Sequence, residues 1–385
     1  MKKSFLFVFL FGLVSLFGDI TYESARSIIG PYFAFLGASG LIVGFIAGLG
    51  EFIGYGLRLI CGYFTDRLRK YWSITIAGYA IGLLSVPLLA LAKDWQIASL
   101  LIIAERIGKA LRSPAKDALL SYGIKEIGYG RGFGIHKAMD QIGAMIGPLI
   151  MSMVLYFKKD YQIAFGILIV PAIISLSILF LTKSLYPYPY RINTQIKSSK
   201  LAIKDLNRDF WLYSIGIALI GAGYIDFPLI AFHFKKISIS ESLIPIFYAI
   251  AMGFDAFSAL VFGYLFDKKG LSVFIFSIIL SSASVPLVFL GNFYIFFLGM
   301  IFWGIGIGAQ TSIMKAIIPF LISEEKRGTG YGIINACYGF SWFLGSALIG
   351  YLYDFSILAL IVISLIFQLS SIFFFIKIRK NLLLA

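Results

Sequence analysis

The sequence predicts an all-α membrane protein with twelve transmembrane helices, and three observations support this fold class. Of the 385 residues, 59% are hydrophobic and only 14% are charged, and the mean hydropathy is +0.91. A soluble domain needs far more polar surface, so most of the chain must face lipid. The apolar residues also form continuous blocks of about 20 residues or more, the length that a helix needs to cross the hydrocarbon core. Membrane β-barrels use short alternating segments instead, and the sequence does not have that pattern.

Each predicted helix corresponds to one apolar block, taken in chain order. The first block follows two lysines and could pass for a signal peptide, but it has no small-x-small cleavage site and runs on to the length of a full span. We therefore expect an uncleaved first helix. The twelve blocks are 5–35, 40–64, 73–92, 96–120, 133–157, 161–182, 210–234, 242–266, 271–291, 293–322, 329–353 and 356–376.

The distribution of basic residues predicts how these helices are oriented. The formal net charge is +14. When the N-terminus is placed in the cytoplasm, most Lys and Arg residues fall in inner segments, as the positive-inside rule requires. The basic charge therefore indicates a topology with both termini in the cytoplasm, and it does not indicate nucleic-acid binding. The outer connections carry only Lys93, Lys158, Lys159, Lys235 and Lys236.

A long basic connection divides the chain into two sets of six helices. We expect an N-terminal six-helix bundle over 1–185, a cytoplasmic linker over 186–208 and a C-terminal six-helix bundle over 209–385. The halves repeat each other, since FGIHKAMDQIGAMIGP from Phe133 aligns with YGIINACYGFSWFLGS from Tyr331. Such a repeat is typical of duplicated transporter folds, whose site lies near the midplane between the repeats.

Two short segments resemble the loop signature of the major facilitator superfamily, which occurs after spans 2 and 8. GYFTDRLR begins at Gly62 and GYLFDKKG begins at Gly263, each at the inner end of the second helix of its half. The first copy departs from the pattern, because Arg69 stands at the usual glycine position. The resemblance implies two six-helix bundles that transport by alternating access. It also implies a gating role for Gly62, Asp66, Arg67, Gly263, Asp267 and Lys268.

Three further segments are similar to a group of prokaryotic permeases in this superfamily. They are DITYE, GKALRSPAKDAL and GFGIHKAMDQIGAMIGP. Most of that group has no assigned substrate, and a few members are associated with metal resistance. This resemblance implies export as the direction of transport.

Charged side chains inside the predicted spans are the candidates for function, because a charge in the hydrocarbon core of the bilayer is costly unless it is paired or hydrated. In the first helix, the segment GDITYESAR places Asp19, Glu23 and Arg26 at i, i+4 and i+7, so the three share one stripe. The candidates for substrate binding or proton coupling are Asp19, Glu23, Arg26, Glu51, Arg106, Lys109, Arg112, His136, Asp140, Asp226 and Asp255.

The arginines of the fourth helix require partners. Arginine stays ionised even in apolar surroundings, so Arg106 and Arg112 each need a carboxylate or an anionic ligand. Asp19, Glu23 and Asp140 are the expected carboxylates. Cationic side chains on this helix also favour an anionic solute over a metal ion.

A histidine and an aspartate share one face of the fifth helix. His136 and Asp140 lie at i and i+4, and Lys137 lies beside them. A hydrogen-bonded structural histidine and a proton-handling pair are both consistent with this pattern.

The expected energy source is a gradient, because ERIGK lacks the first glycine of an ATP-binding G-x-x-x-x-G-K-[ST] motif. Protonation of a buried carboxylate is the simplest coupling device. We therefore predict proton-coupled export of a small anionic or zwitterionic organic solute or drug. The alternative is a divalent metal cation exporter, and a non-transporting membrane sensor is a third hypothesis. An enzyme is not expected, because neither an HExxH motif nor a Ser/His/Asp set is apparent.

The expected partners follow from this interpretation. They are a small-molecule substrate, protons and the lipid bilayer, with no nucleic acid and no cofactor or metal. The protein is expected to be a monomer in the cell membrane.

Overall fold

The computed structural model describes residues 2–123, 129–187, 206–322 and 327–382. This part of the chain is helical and contains no strand. Most of the predicted linker and the side chain of Asp66 lie outside the described residues.

Each predicted block corresponds to one α-helix, except the sixth and the seventh, each of which contains two. A short 3-10 helix, Leu89–Leu91, follows α3. The α-helices of the described residues are α1 (Lys2–Phe35), α2 (Gly40–Leu68), α3 (Tyr71–Leu88), α4 (Trp95–Gly123), α5 (Tyr129–Lys158), α6 (Tyr161–Gly166), α7 (Ile169–Leu185), α8 (Arg208–Gly223), α9 (Phe227–Lys236), α10 (Ile244–Lys269), α11 (Leu271–Leu290), α12 (Phe293–Leu321), α13 (Arg327–Phe355) and α14 (Ile357–Leu382).

Eleven segments within the described ranges are long and apolar enough to cross a membrane. The predicted span outside this set is α4, which has the length of a span at 29 residues. Its middle and C-terminal part carry several charged side chains, which lower its hydropathy and which a buried position in a helix bundle would accommodate. These side chains are Glu105, Arg106, Lys109, Arg112, Lys116 and Asp117.

The sixth and seventh predicted spans are each interrupted, which the sequence analysis did not anticipate. In the seventh, α8 ends at Gly223 and α9 begins at Phe227, whose N–H donates to Asp226 Oδ1 at 2.9 Å. The carbonyl of Gly223, left without a helical partner, accepts hydrogen bonds from Ser364 Oγ at 2.6 Å and Gln368 Nε2 at 3.0 Å. The break is therefore tolerated because neighbouring side chains satisfy the exposed backbone.

The described contacts divide the chain into two compact units, which are considered separately. Unit 1 comprises Met1–Ala38, Ile53–Thr194 and Phe234–Ala249. Unit 2 comprises Ser39–Phe52, Gln195–His233 and Ile250–Ala385.

One glycine of the sequence repeat has the same packing role in each unit. In unit 1, α5 packs on α1, and a Cβ on Gly147 would lie 2.8 Å from both Ile20 O and Ser24 Oγ. In unit 2, α13 packs on α8, and a Cβ on the equivalent Gly345 would overlap the backbone of Ala222. Small residues allow membrane helices to approach closely. The repeated glycine therefore permits the same helix pair to form twice.

The start of α2 is capped from a distant helix of unit 2. The first four N–H groups of a helix have no helical partner and carry the positive end of its dipole. Asp354, near the end of α13, accepts hydrogen bonds from Gly40 N through Oδ1 and from Leu41 N through Oδ2, both at 2.8 Å. One carboxylate thus joins the end of α13 to the start of α2.

We expect Asp354→Ala to lower the free energy of unfolding by about 1 to 2 kcal/mol, because the variant loses an N-cap and a favourable charge–dipole interaction. The matched control is Asp94→Ala, which removes a local cap, since Asp94 Oδ1 accepts from Ile97 N at 2.8 Å within the same turn. Melting temperatures in detergent compare the two variants. Equal losses would contradict the view that the Asp354 cap adds a link between two distant helices.

Candidate functional site

Four helices of unit 1 bring together most of the predicted site residues. α1 packs against α3, α4 and α5, and α3 packs against α4. This packing gathers Asp19, Glu23, Arg26, Arg106, Lys109, Arg112, His136 and Asp140 in one unit, whereas Glu51, Asp226 and Asp255 belong to unit 2.

Arg112 lies between two tyrosine rings. Its Cζ atom is 4.2 Å from the ring centroid of Tyr79 and 4.7 Å from that of Tyr22, and the residue is 5% exposed. Each cation–π contact contributes about 0.5 to 2 kcal/mol, more where water is excluded. An added Cβ on Gly78 would lie 2.7 Å from Arg112 Cβ, so this glycine of α3 makes room for the arginine.

The contacts of Arg112 differ in kind from the predicted ion pairs. The carboxylates of Asp19 and Glu105 interact with it electrostatically. Its guanidinium also contacts the faces of the two tyrosines, and its Nε atom has no hydrogen-bond partner among the described residues. The two rings thus hold the guanidinium in place, and its Nε–H group is available to donate a hydrogen bond.

A chain of polar side chains connects α5 to α1 and α3. His136 Nδ1 is 3.4 Å from Asp140 Oδ2, and His136 Nε2 is 2.8 Å from Ser15 Oγ. Ser15 Oγ is in turn 3.5 Å from Tyr79 Oη. Ser15 is four residues before Asp19, so helical spacing places it on the predicted stripe, but a serine there gives no signal of its own.

The contacts of Ser15, His136 and Asp140 follow the order of a hydrolytic triad, a set that was not apparent from the sequence. A nucleophilic serine also needs access to substrate and preorganised donors for an oxyanion. Ser15 is 4% exposed, and it lies within α1, where helical hydrogen bonds occupy the backbone N–H groups. This geometry favours the movement of protons over acyl transfer.

Glu23 contacts a tyrosine that the sequence analysis did not single out. Tyr248, at the start of α10 and within unit 1, donates its hydroxyl to Glu23 Oε2 at 2.6 Å. A hydrogen bond this short to a carboxylate is typical of a charge-assisted contact. The cations that act on Glu23 are Arg26, Lys109 and Arg106, and Arg106 Nε is also 3.2 Å from Glu105 Oε2.

Comparison with known proteins identifies the family. A model of the Major Facilitator Superfamily matches residues 5–272 and, in a second match, residues 228–382. The chain belongs to this superfamily. It is therefore a membrane transporter and not an enzyme.

Several relatives and solved structures are similar to this superfamily member. An uncharacterized protein of Mycobacterium tuberculosis is 38% identical over 97% of this chain and 93% of its own length. An uncharacterized MFS-type transporter of Methanocaldococcus jannaschii is 28% identical over 91% of this chain and 89% of its own length. The nucleoside transporter NupG superposes with a TM-score of 0.80 at 16% identity, over 97% of this chain and 99% of its own. The last likeness shows the fold alone.

The superfamily signature lies at the C-terminal ends of α2 and α10. Arg67, Asp267 and Lys268 are exposed, and Lys268 Nζ lies 4.4 Å from the ring centroid of Tyr264. An added Cβ on Gly62 would come no nearer than 3.7 Å to Pro114, and one on Gly263 no nearer than 4.0 Å to Ser312. Neither glycine is sterically required in this conformation, so the predicted gating role stays a prediction.

The three predicted residues of unit 2 are buried: Glu51, Asp226 and Asp255. Asp226 Oδ1 accepts the hydrogen bond from Phe227 N that was described above. The backbone carbonyl of Asp255 accepts a hydrogen bond from Ser258 Oγ at 3.1 Å. Within the described ranges, no group of three or more His, Cys, Asp or Glu side chains is arranged to hold a metal ion.

Proposed function

We propose that this superfamily member exports a small anionic or zwitterionic organic solute in exchange for protons, by alternating access. The observation that carries the proposal is Arg112, a buried guanidinium that two tyrosines hold by their faces with donor capacity unused. A planar guanidinium binds carboxylate or phosphate groups through two parallel hydrogen bonds. The edge of Arg112 is therefore suited to an anionic group of the solute.

The carboxylates of the same unit suit the other half of a zwitterion. Asp19 and Glu23 lie one turn apart on α1, and Asp19 interacts electrostatically with Arg112. A solute with a cationic group beside its anionic group would thus find charges of both signs. A mutant of a peptide transporter POT, which shares the fold at 12% identity and a TM-score of 0.78, was solved in complex with alafosfalin.

Proton coupling is supported by the buried titratable groups beside Arg112. They are Asp19, Glu23, His136 and Asp140, and protonating a carboxylate there would release its basic neighbour. The export direction is supported by a multidrug resistance protein, MdtH of Photorhabdus laumondii, which is 33% identical over 33% of this chain and 31% of its own length. Two six-helix bundles, cytoplasmic termini, a monomer and the plasma membrane complete the proposal.

A thermal-shift screen of the purified protein tests the solute class. The probes are small organic anions and zwitterions, among them dipeptides and nucleoside monophosphates, together with tetraphenylphosphonium, Zn²⁺ and Ni²⁺. We expect stabilisation by members of the first group, about 2.7 kcal/mol at one hundred times the dissociation constant. Stabilisation by the metal ions or the lipophilic cation, with none by organic anions, would contradict the proposal.

A further inference from the structure

We propose that Ser15 is the coupling residue that connects the His136–Asp140 proton site to the Tyr79–Arg112 solute site, through hydrogen bonds that reverse direction when His136 takes up a proton. The inference rests on the proposed function for the identity of the solute site. It goes beyond that function because it assigns a role to a serine and a tyrosine that no charge pattern selects.

The contacts form a continuous path across four helices. From α5, Asp140 Oδ2 is 3.4 Å from His136 Nδ1, and His136 Nε2 is 2.8 Å from Ser15 Oγ on α1. Ser15 Oγ is 3.5 Å from Tyr79 Oη on α3. The ring of Tyr79 lies 4.2 Å from the guanidinium of Arg112 on α4. Ser15 and His136 are buried, so bulk water does not compete for their hydrogen bonds.

The hydroxyl of Ser15 is oriented differently from those of comparable serines. Serines within helices commonly donate to the carbonyl four residues earlier. Ser85 and Ser99 follow this pattern, since they donate to the carbonyls of Ile81 and Trp95, both at 2.6 Å. Ser15 instead contacts a side chain of another helix. Its hydroxyl therefore makes hydrogen bonds between helices, to His136 and Tyr79, and not within α1.

The direction of each hydrogen bond depends on the protonation of His136. In the neutral imidazole, Nδ1–H faces the Asp140 carboxylate and donates to it, so Nε2 must accept from Ser15 O–H. Ser15 Oγ then accepts from Tyr79 O–H. When His136 takes up a proton from a hydronium ion, an O–H bond of that ion breaks, an Nε2–H bond forms and a neutral water molecule is left. The new N–H donates to Ser15 Oγ, and the serine hydroxyl turns to donate to Tyr79 Oη. One N–H bond forms, Asp140 stays ionised, and the charge of the pair changes from −1 to 0.

The reversal of these hydrogen bonds changes the cation–π contact between the Tyr79 ring and Arg112. A cation is held over an aromatic face by the negative charge of that face. A phenol that accepts a hydrogen bond has a less electron-rich ring than one that donates. Uptake of a proton by His136 therefore weakens the cation–π interaction between Tyr79 and Arg112. Other ionisable groups also act on the two ends of the path. They are Tyr22 and Asp19 on α1, Glu105, Lys116 and Asp117 on α4, and Lys137 on α5.

NMR of the full-length protein tests the path without any solute. The chain has two histidines, so ¹⁵N-imidazole labelling gives two spin systems, and His233→Gln identifies that of His136. ¹³Cζ-tyrosine labelling with Tyr79→Phe identifies the signal of Tyr79. In the wild type, we expect the Tyr79 signal to follow the titration of His136, with Nδ1–H as the neutral tautomer. In Ser15→Ala, His136 should still titrate, but the Tyr79 signal should no longer follow it.

Two further variants separate coupling from packing. Ser15→Thr keeps a hydroxyl and should restore the coupled response. Ser175→Ala removes another buried hydroxyl near α1, one that donates to Val14 O at 2.8 Å, and should leave the response intact. A Tyr79 signal that follows His136 in Ser15→Ala, or one that does not follow it in the wild type, would overturn the inference. If the coupling is intact while organic anions fail to bind, the proposed solute is wrong and the path stands.

Discussion

Arg112→Lys is expected to weaken solute binding by about 10- to 100-fold while the protein remains folded. The charge is retained, but an ammonium cannot make two parallel hydrogen bonds to one anionic group. Hydrogen bonds to charged groups contribute about 1.5 to 3 kcal/mol, which corresponds to that loss in affinity. Isothermal titration with the compound that stabilises the wild type most in the thermal-shift screen measures the effect.

The control for this variant is Arg58→Lys. Arg58 also lies over a tyrosine, with Cζ 5.2 Å from the ring centroid of Tyr55, but over one ring and not between two. We expect its affinity for the solute to stay within a few-fold of the wild type. Equal losses in Arg58→Lys and Arg112→Lys would show that the effect is a general cost of replacing arginine.

A double variant distinguishes solute binding from simple neutralisation. If Arg112 only compensated Asp140, Arg112→Ala would destabilise the protein and the additional change Asp140→Ala would recover much of the loss. In the structure, Asp140 contacts His136, while Arg112 lies between tyrosines. The double variant is therefore expected to remain inactive and less stable than the wild type. Recovery of both stability and transport would contradict the assignment of Arg112 to the solute.

The sequence was sufficient to predict the helical framework, because lipid imposes a length and a composition on each span. The charged side chains of α4 lower its hydropathy, yet this 29-residue helix contains the predicted block 96–120. The repeat aligned Gly147 with Gly345, and in the structure both glycines allow their helices to pack closely. The break before α9 was missed, although Gly223, Asp226 and Pro228 provide the usual signals for a helix end and a helix start.

The candidate site was only partly predictable, for a physical reason. Charges in apolar spans are conspicuous, so Arg112, His136 and Asp140 could be selected by residue type. Their partners could not, because Ser15 and Tyr79 are ordinary residues in membrane helices. Whether such side chains touch a charge depends on the rotation and depth of each helix, which the tertiary packing sets.

Glu23→Gln is expected to abolish transport driven by a proton gradient and to leave exchange of solute between the two sides of the membrane. The amide is close in size to the carboxyl group but cannot be ionised, so a step that requires Glu23 to gain and lose a proton stops. Exchange needs no net proton movement and should persist. Proteoliposomes loaded with the solute, with and without an imposed pH gradient, measure both activities. Asp19→Asn is expected to behave in the same way if it shares the proton.

Tyr248→Phe separates the charge of Glu23 from its hydrogen bond. The variant keeps the ring and the carboxylate but removes the donor at 2.6 Å, a contact that contributes about 1.5 to 3 kcal/mol. Because this hydrogen bond joins the start of α10 to α1 within unit 1, its loss should favour separation of that start from α1. Gradient-driven transport should survive, since Glu23 can still be protonated. Spin labels on α1 and on the first residues of α10 are expected to show a larger population at long distance in Tyr248→Phe. The increase should be smaller in Glu23→Gln, whose amide oxygen is a weaker acceptor, and the double variant should show little further change. Additive changes in the double variant, or wild-type distances in both single variants, would show that the contact does not hold the helices together.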